Sequence, residues 1–276
     1  MAAVLALVSS LMWGSADFLG GATSRRLPAL TVYALSQAVG LASLVIVATV
    51  WWSWGDDPGY WPYAIGASVL GVVSMVSFYR ALALGPMGIV SPLVSLGVLV
   101  PIVVGLLQGD RPGGIETAGI ALALAGILLA SGPELTGART GRPLLLATVA
   151  AVAFGGMFVL MAQGSAYSPI MTMTGMRITT VVFMGVVWLR LRSMGGAGRS
   201  DIPVLVGIGL LDVAANVTYG YATTLGMLST VSVLGNLYPV VTAVLAALVL
   251  RERLRPVQYI GVTMAITGVL AISAAM

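Results

Sequence analysis

The sequence predicts an all-α polytopic membrane protein, with ten transmembrane helices arranged as two inverted five-helix repeats. Three observations carry this. Of 276 residues, 59% are hydrophobic and only 8% are charged, whereas a soluble domain carries about a quarter charged residues. The apolar residues form unbroken blocks long enough to cross a hydrocarbon layer of ~30 Å at ~1.5 Å per residue, without the roughly ten-residue alternating segments of a membrane barrel. Finally, the two halves of the chain align at a nearly constant offset.

The spans follow in order: Ala2–Gly21, Pro28–Trp52, Tyr63–Leu84, Gly88–Leu107, Gly114–Ser131, Pro143–Gln163, Pro169–Leu189, Ile202–Leu225, Ser229–Leu250 and Pro256–Ala275. Polar breaks containing glycine or proline separate them, among them "SRRLP", "GDDPGYWP", "GDRPGG" and "SMGGAGRSDIP". "ALGPMG" and "TLGMLS" make tighter turns. The start of the chain has no basic n-region and no obvious cleavage site, so the first block reads as a retained span.

A shift of 141 positions brings Gly14 onto Gly155, Pro28 onto Pro169, Ala81 onto Ala222 and Gly85 onto Gly226. One inserted residue later, Asp110 meets Glu252, Arg111 meets Arg253, Gly119 meets Gly261 and Gly126 meets Gly268. The copies are read as residues 1–137 and 138–276. Five spans is an odd number, so the second copy enters the membrane upside down relative to the first, the plan of many secondary transporters.

Arginine placement is an independent signal. Lysine, histidine and cysteine are absent, so all 13 basic residues are arginine. Loops 1–2, 5–6, 7–8 and 9–10, with their flanking span ends, hold Arg25, Arg26, Arg139, Arg142, Arg190, Arg192, Arg199, Arg251, Arg253 and Arg255. The opposite side, which includes both termini, holds Arg111 with the acidic pair Asp56 and Asp57. Short-loop arginines stay in the cytoplasm, so both termini are expected outside a multi-pass protein of the cell membrane. Trp51, Trp52, Trp54 and Trp61 cluster at one break, as a headgroup-level aromatic belt does.

Four ionisable residues fall inside spans: Asp17, Arg80, Arg177 and Asp212. Each costs about 2.5–3.5 kcal/mol at a helix centre on insertion scales, so each needs a partner, an interior face or a wet cavity. Arg80 lies near a span end, and its stem can carry the guanidinium to the interface. Arg177 and Asp212 stand at similar depth on adjacent antiparallel spans and can pair, either as architecture or as a pair that opens for substrate or proton. Asn216 and Tyr219 follow Asp212 on the same helix face. Gln37 reaches a depth comparable to Asp17, and Asn236 on the ninth span joins these polar candidates.

Asp17 has no obvious intramembrane partner in the sequence. It reads as a group that could hold either a proton or a cationic substrate; the alternatives are a helix–helix hydrogen bond or a bridge to Arg25 or Arg26. Around it, "WGSADFLG" reads as a cavity-lining stretch: Trp13 an apolar wall or an ordinary packing residue, Gly14 and Ser15 a place of close approach or local unwinding. Pro92, Pro101 and Pro239 lie within the fourth and ninth spans and are expected to kink them or act as hinges.

"LRERLRPVQYIGVTMAITGVL" resembles the C-terminal signature of the drug/metabolite transporter superfamily, in its ten-span EamA-type branch, through Leu250, Glu252, Arg253, Leu254, Gln258, Gly261 and Gly268. "NLYPVVTAVLAALVL" resembles the preceding span of that family, "LMWGSADF" its first-span Trp-Gly motif, and "SPIMTMTGMR" the second span of a repeat, with Arg177 at the arginine. The chain departs from the pattern at Ser36, where the first repeat would carry that arginine, and at Asp17. Family members are usually drawn with both ends in the cytoplasm, against the arginine count here. The resemblance implies an exporter of small metabolites, amino acids or amphiphilic drugs working by alternating access. Proton coupling, uncoupled facilitation or exchange, and a channel all remain open.

Without histidine, cysteine or lysine, an enzyme using metal, thiol or Ser–Lys chemistry is not expected. No nucleotide-binding motif appears. The modest net charge of +4 lies in short loops, so membrane lipid and a small solute are the expected partners, with no nucleic acid, no metal and no cofactor beyond a coupling proton.

Overall fold

A computed structural model describes residues 1–84, 90, 93–130, 141–191, 196–249 and 255–275. Pro92, Arg139, Arg192, Arg251, Glu252 and Arg253 lie outside the described residues. Every regular element among those described is helical: α1 (Ala2–Ser24), α2 (Ala29–Val50), α3 (Trp61–Leu84), α4 (Leu99–Gln108), α5 (Gly114–Ala130), α6 (Gly141–Ser165), α7 (Pro169–Leu191), α8 (Ile202–Leu225), α9 (Leu228–Gly235), α10 (Tyr238–Val249) and α11 (Pro256–Ala275). Helix is the outcome that long apolar blocks favour in lipid, because it satisfies every backbone group within its own segment. Seven described stretches are long and apolar enough to cross a membrane, α9 and α10 counting together as one. Leu93–Gln108, Gly114–Ala130 and Pro256–Ile272 are shorter apolar helices.

The fourth and ninth spans are not single kinked helices. A 3-10 segment, Leu96–Val98, leads into α4, and α9 ends at Gly235 before α10 starts at Tyr238. Leu96 and Leu237 stand at the repeat offset of 141, so the two interruptions are mates. Pro101 and Pro239 correspondingly sit in the first turn of a new α-helix, where a missing N–H costs little. In the fourth span the 3-10 turn runs directly into α4, whereas in the ninth the helix stops and restarts. Gly109 ends α4 in the left-handed region, with φ +110°.

Packing exchanges the two halves. α1 lies along α8 and α6 along α3; α2 also touches α8, as α7 touches α3. α2 meets α7, α4 meets α9 and α5 meets α11. The first four contacts form two pairs that swap when the repeats swap, and the α2–α7 and α5–α11 contacts map onto themselves. Close approaches repeat atom by atom. A Cβ on Gly14 would lie 2.5 Å from Val241 Cβ and 2.8 Å from the Tyr238 carbonyl; one on Gly155 would lie 2.6 Å from Val100 Cβ and 2.2 Å from the Gly97 carbonyl. Val241 and Val100, like Tyr238 and Gly97, are 141 apart. α1 stays helical through Gly14 and Ser15, so close approach, not unwinding, explains the small residues in that segment.

Lipid supplies no hydrophobic drive for one helix to leave it for another, so small residues and interhelical hydrogen bonds hold the bundle together. Ser9 Oγ donates to the Ala215 carbonyl at 2.8 Å, and the Ser68 and Thr180 hydroxyls meet at 2.9 Å. The loops associate in two sets. Arg26 pairs with Asp201 at 2.8 Å, and Gln258 Nε2 donates to the Ala130 carbonyl at 3.2 Å. At the other helix ends, Tyr63 and Tyr167 stack at 5.8 Å, and Asp110 Oδ2 accepts the Ser229 N–H at 2.8 Å. Asp110 thereby satisfies a free N–H in the first turn of α9, and Glu116 accepts from the Thr230 hydroxyl beside it.

Candidate functional site

The polar candidates from α2, α7 and α8 converge. Arg177 on α7 is buried, and its guanidinium donates to Gln37 Oε1 on α2 and to Asp212 Oδ2 on α8. Asn216, one turn beyond Asp212, donates from Nδ2 to the Asp212 carbonyl at 2.6 Å and to Asp212 Oδ1 at 3.1 Å. The expected ion pair is therefore present and is extended at both ends by neutral amides. All three residues that touch the guanidinium or its carboxylate are placed by the packing of α2 and α7 on α8. Gly40 on α2 sits against this group: a Cβ there would lie 3.0 Å from Val213 and 3.5 Å from Arg177 Nε.

Asp17 on α1 is exposed and makes no hydrogen bond or ion pair among the described residues. It is nevertheless close enough to Asp212 and Tyr238 to interact electrostatically with both. Neither Arg25 nor Arg26 bridges to it: Arg26 is taken by Asp201. Arg80 is exposed near the end of α3, as its position predicts.

Trp13, one turn from Asp17 along the same face, is buried among aromatics. Its ring centroid is 5.4 Å from Phe158, 5.5 Å from Tyr219 and 6.3 Å from Tyr238. Phe158 also lies 5.9 Å from Phe154 and 5.2 Å from Tyr219. Tyr219 is fully buried, with its hydroxyl 2.9 Å from Ser232 Oγ. Asn236 does not reach the ionic group; its Nδ2 donates to the Ser232 carbonyl at 2.8 Å and closes the end of α9 where that span breaks. Pro239 begins the helix that carries Tyr238 into the aromatic group, and Pro101 opens its mate in the first repeat.

Residue-by-residue reading overlooked Phe154, Phe158 and Tyr238. The repeat held the signal for the two phenylalanines: at the offset of 141, Trp13 falls on Phe154 and Asp17 on Phe158. An apolar cleft of about 270 Å³ lies nearby between α1, α10 and α11, lined by residues such as Leu7, Leu11, Val240 and Val241 and by none of the ionic side chains. It is separate from the ionic centre. No cluster that could hold a metal occurs among the described residues.

The model of the EamA-like transporter family matches residues 1–132 and again residues 141–274. Among curated proteins, none matches the chain. Among solved structures, one described as a crystal structure of a protein shares 18% identity with this chain, covers 99% of it and 97% of its own length, and superposes with a TM-score of 0.79. That likeness concerns the fold.

Proposed function

Because the chain belongs to the EamA-like transporter family, we propose that this membrane protein is a secondary transporter that exports a small metabolite, amino acid or amphiphilic compound by alternating access. The observation that carries the reading is the pair of irregular segments at repeat-equivalent places, Leu96–Val98 and Asn236–Leu237, together with a carboxylate, Asp17, that has no hydrogen-bond or ion-pair partner among the described residues. Broken spans at mid-membrane are where secondary transporters build their sites, and two halves packed around a pseudo-two-fold can rock about it. Seven long apolar helices and three shorter ones are compatible with ten crossings, a number that would invert the second repeat relative to the first.

Asp17 is the coupling residue in this reading. When it is ionised it faces Asp212, and like charges at close range disfavour each other until a proton or a cation comes between them. Arg177 stays with Asp212 and Gln37, and Tyr238 is the remaining titratable group facing Asp17. In proteoliposomes, an inward-directed proton gradient should drive export of a transported solute by the wild type. In Asp17→Asn, gradient-driven flux should fall to the level of empty liposomes. Full gradient-driven flux in the variant would remove Asp17 from coupling, and wild-type flux indifferent to pH would mark a facilitator.

Orientation follows the arginines. Arg25, Arg26, Arg142, Arg190, Arg199 and Arg255 stand at one set of helix ends and Arg111 at the other, which supports an orientation with both termini outside. The chain has no native cysteine, so single introduced ones report cleanly. In intact cells, a membrane-impermeant thiol reagent should label Gly113→Cys and spare Ser200→Cys. The reverse pattern would put the termini in the cytoplasm.

A further inference from the structure

We infer that the central site selects an organic ammonium ion, an amine on an apolar or aryl body, and rejects solutes whose recognition depends on a carboxylate. The inference rests on the transporter reading of the same site and narrows its substrate class.

Arg177 is the cationic side chain at this centre, and both of its acceptor partners are protein groups, Gln37 and Asp212. Asp212 is held in turn by Asn216 through its other oxygen, at 3.1 Å. A substrate carboxylate would have to displace one of these acceptors and leave the half-buried Asp212 carboxylate or the buried Gln37 amide without its partner, which is costly at low dielectric. The guanidinium is therefore already spent on architecture. A zwitterion, which needs one free charge of each sign, loses its anion-binding half.

The opposite holds for Asp17. Its carboxylate accepts no hydrogen bond among the described residues and is exposed. With Asp17 ionised, Asp17, Asp212 and Arg177 together hold two negative charges and one positive, so the centre then lacks one cation. The second repeat adds no further acid, because the mate of Asp17 is Phe158. One missing positive charge matches a monovalent ligand. Trp13 precedes Asp17 by one helical turn, and Tyr238 lies 6.3 Å from the Trp13 ring and within electrostatic range of Asp17. Aromatic faces beside a carboxylate attract an ammonium group through their quadrupoles while their bodies accommodate an apolar substituent.

The test uses the purified full-length chain in micelles and reads ligand-dependent thermal stabilisation. Three amines are compared with the amino acids that differ only by a carboxylate: isoamylamine with leucine, phenethylamine with phenylalanine, and tyramine with tyrosine, with 3-phenylpropionate as the acid alone. The expected result is stabilisation by at least one amine at a concentration roughly tenfold or more below that of its amino acid, none by 3-phenylpropionate, and loss of the amine effect in Asp17→Asn. That variant removes no hydrogen bond or ion pair and should keep the wild-type ligand-free melting temperature, so loss of binding is not loss of fold. Equal or better stabilisation by an amino acid or by 3-phenylpropionate overturns the inference, as do amine binding that survives Asp17→Asn and silence of all three amines. Flux in proteoliposomes separates the two readings. Amines bound but never moved would end the transporter reading and leave the site; movement of amino acids without preference for amines would end this inference and leave the transporter.

Discussion

Replacing Arg177 with alanine should destabilise the protein by about 3–5 kcal/mol, the range for breaking a buried ion pair by removing one member. The cause is what remains. Asp212 Oδ2 loses the guanidinium and keeps only the Asn216 amide on its other oxygen, and Gln37 Oε1 loses its donor. Asp17 stands nearby as a second carboxylate, so the uncompensated charge on α8 is compounded by its neighbour. Chemical unfolding in micelles would read the loss as a lowered midpoint. The double variant Arg177→Ala with Asp212→Asn should recover most of it, because a neutral amide replaces the stranded carboxylate. Non-additivity of that size is the signature of direct coupling. An Arg177→Ala protein as stable as wild type, or a double variant no better than the single, would show that the pair is incidental to the fold.

The same substitution, glycine to alanine, should act in opposite directions at two helical positions. At Gly261 on α11, a Cβ would lie 2.2 Å from the Ala130 nitrogen, 2.6 Å from the Leu129 carbonyl carbon and 2.8 Å from the Gly126 carbonyl oxygen. All three are backbone atoms of α5, which cannot rotate aside as a side chain can. Gly126 meets Ala265 in the same way, and Gly119 meets the Gly268 carbonyl, so the whole seam would have to open. Overpacking costs typically 1–3 kcal/mol where side chains adjust; against backbone, Gly261→Ala should reach or exceed about 3 kcal/mol. At Gly207 on α8, nothing lies within 4 Å of the added carbon. Gly207→Ala should stabilise the protein by roughly 0.5–1 kcal/mol through the lower conformational entropy of the unfolded chain. Thermal melts of the two variants in one detergent would decide it; equal shifts would show that helix propensity and not the α5–α11 crossing governs Gly261.

Much of this arrangement was legible because the constraint was local. Ranges of apolar residues foretold the helices, since lipid leaves the backbone no other partner. Depth arithmetic on adjacent antiparallel spans foretold that Arg177 and Asp212 could pair, and the i, i+4 relation placed Asn216 with them. The repeat offset set Asp17 over Phe158, and it also set Trp13 over Phe154, an equivalence not drawn from it one residue at a time. What a residue type signals about backbone was less reliable. Three in-span prolines suggested kinks, whereas the ninth span stops at Asn236–Leu237 and restarts, leaving Pro239 in a first turn where it disturbs nothing.

The amino-acid sequence by itself determined the lipid-embedded helices, the duplication and the rarity of charge within it, because each depends on composition and on spacing along one chain. Only the tertiary structure decided which charges are spent and which are free. Arg177 might have faced a ligand; the packing of α2 and α7 on α8 gives it to Gln37 and Asp212. Asp17 might have found Arg25 or Arg26; α1 instead turns it toward Asp212 and Tyr238. The physical reason is that a charge in low dielectric is governed by neighbours within a few ångströms, and those neighbours come from helices as much as 221 positions away along the chain, as Tyr238 is from Asp17.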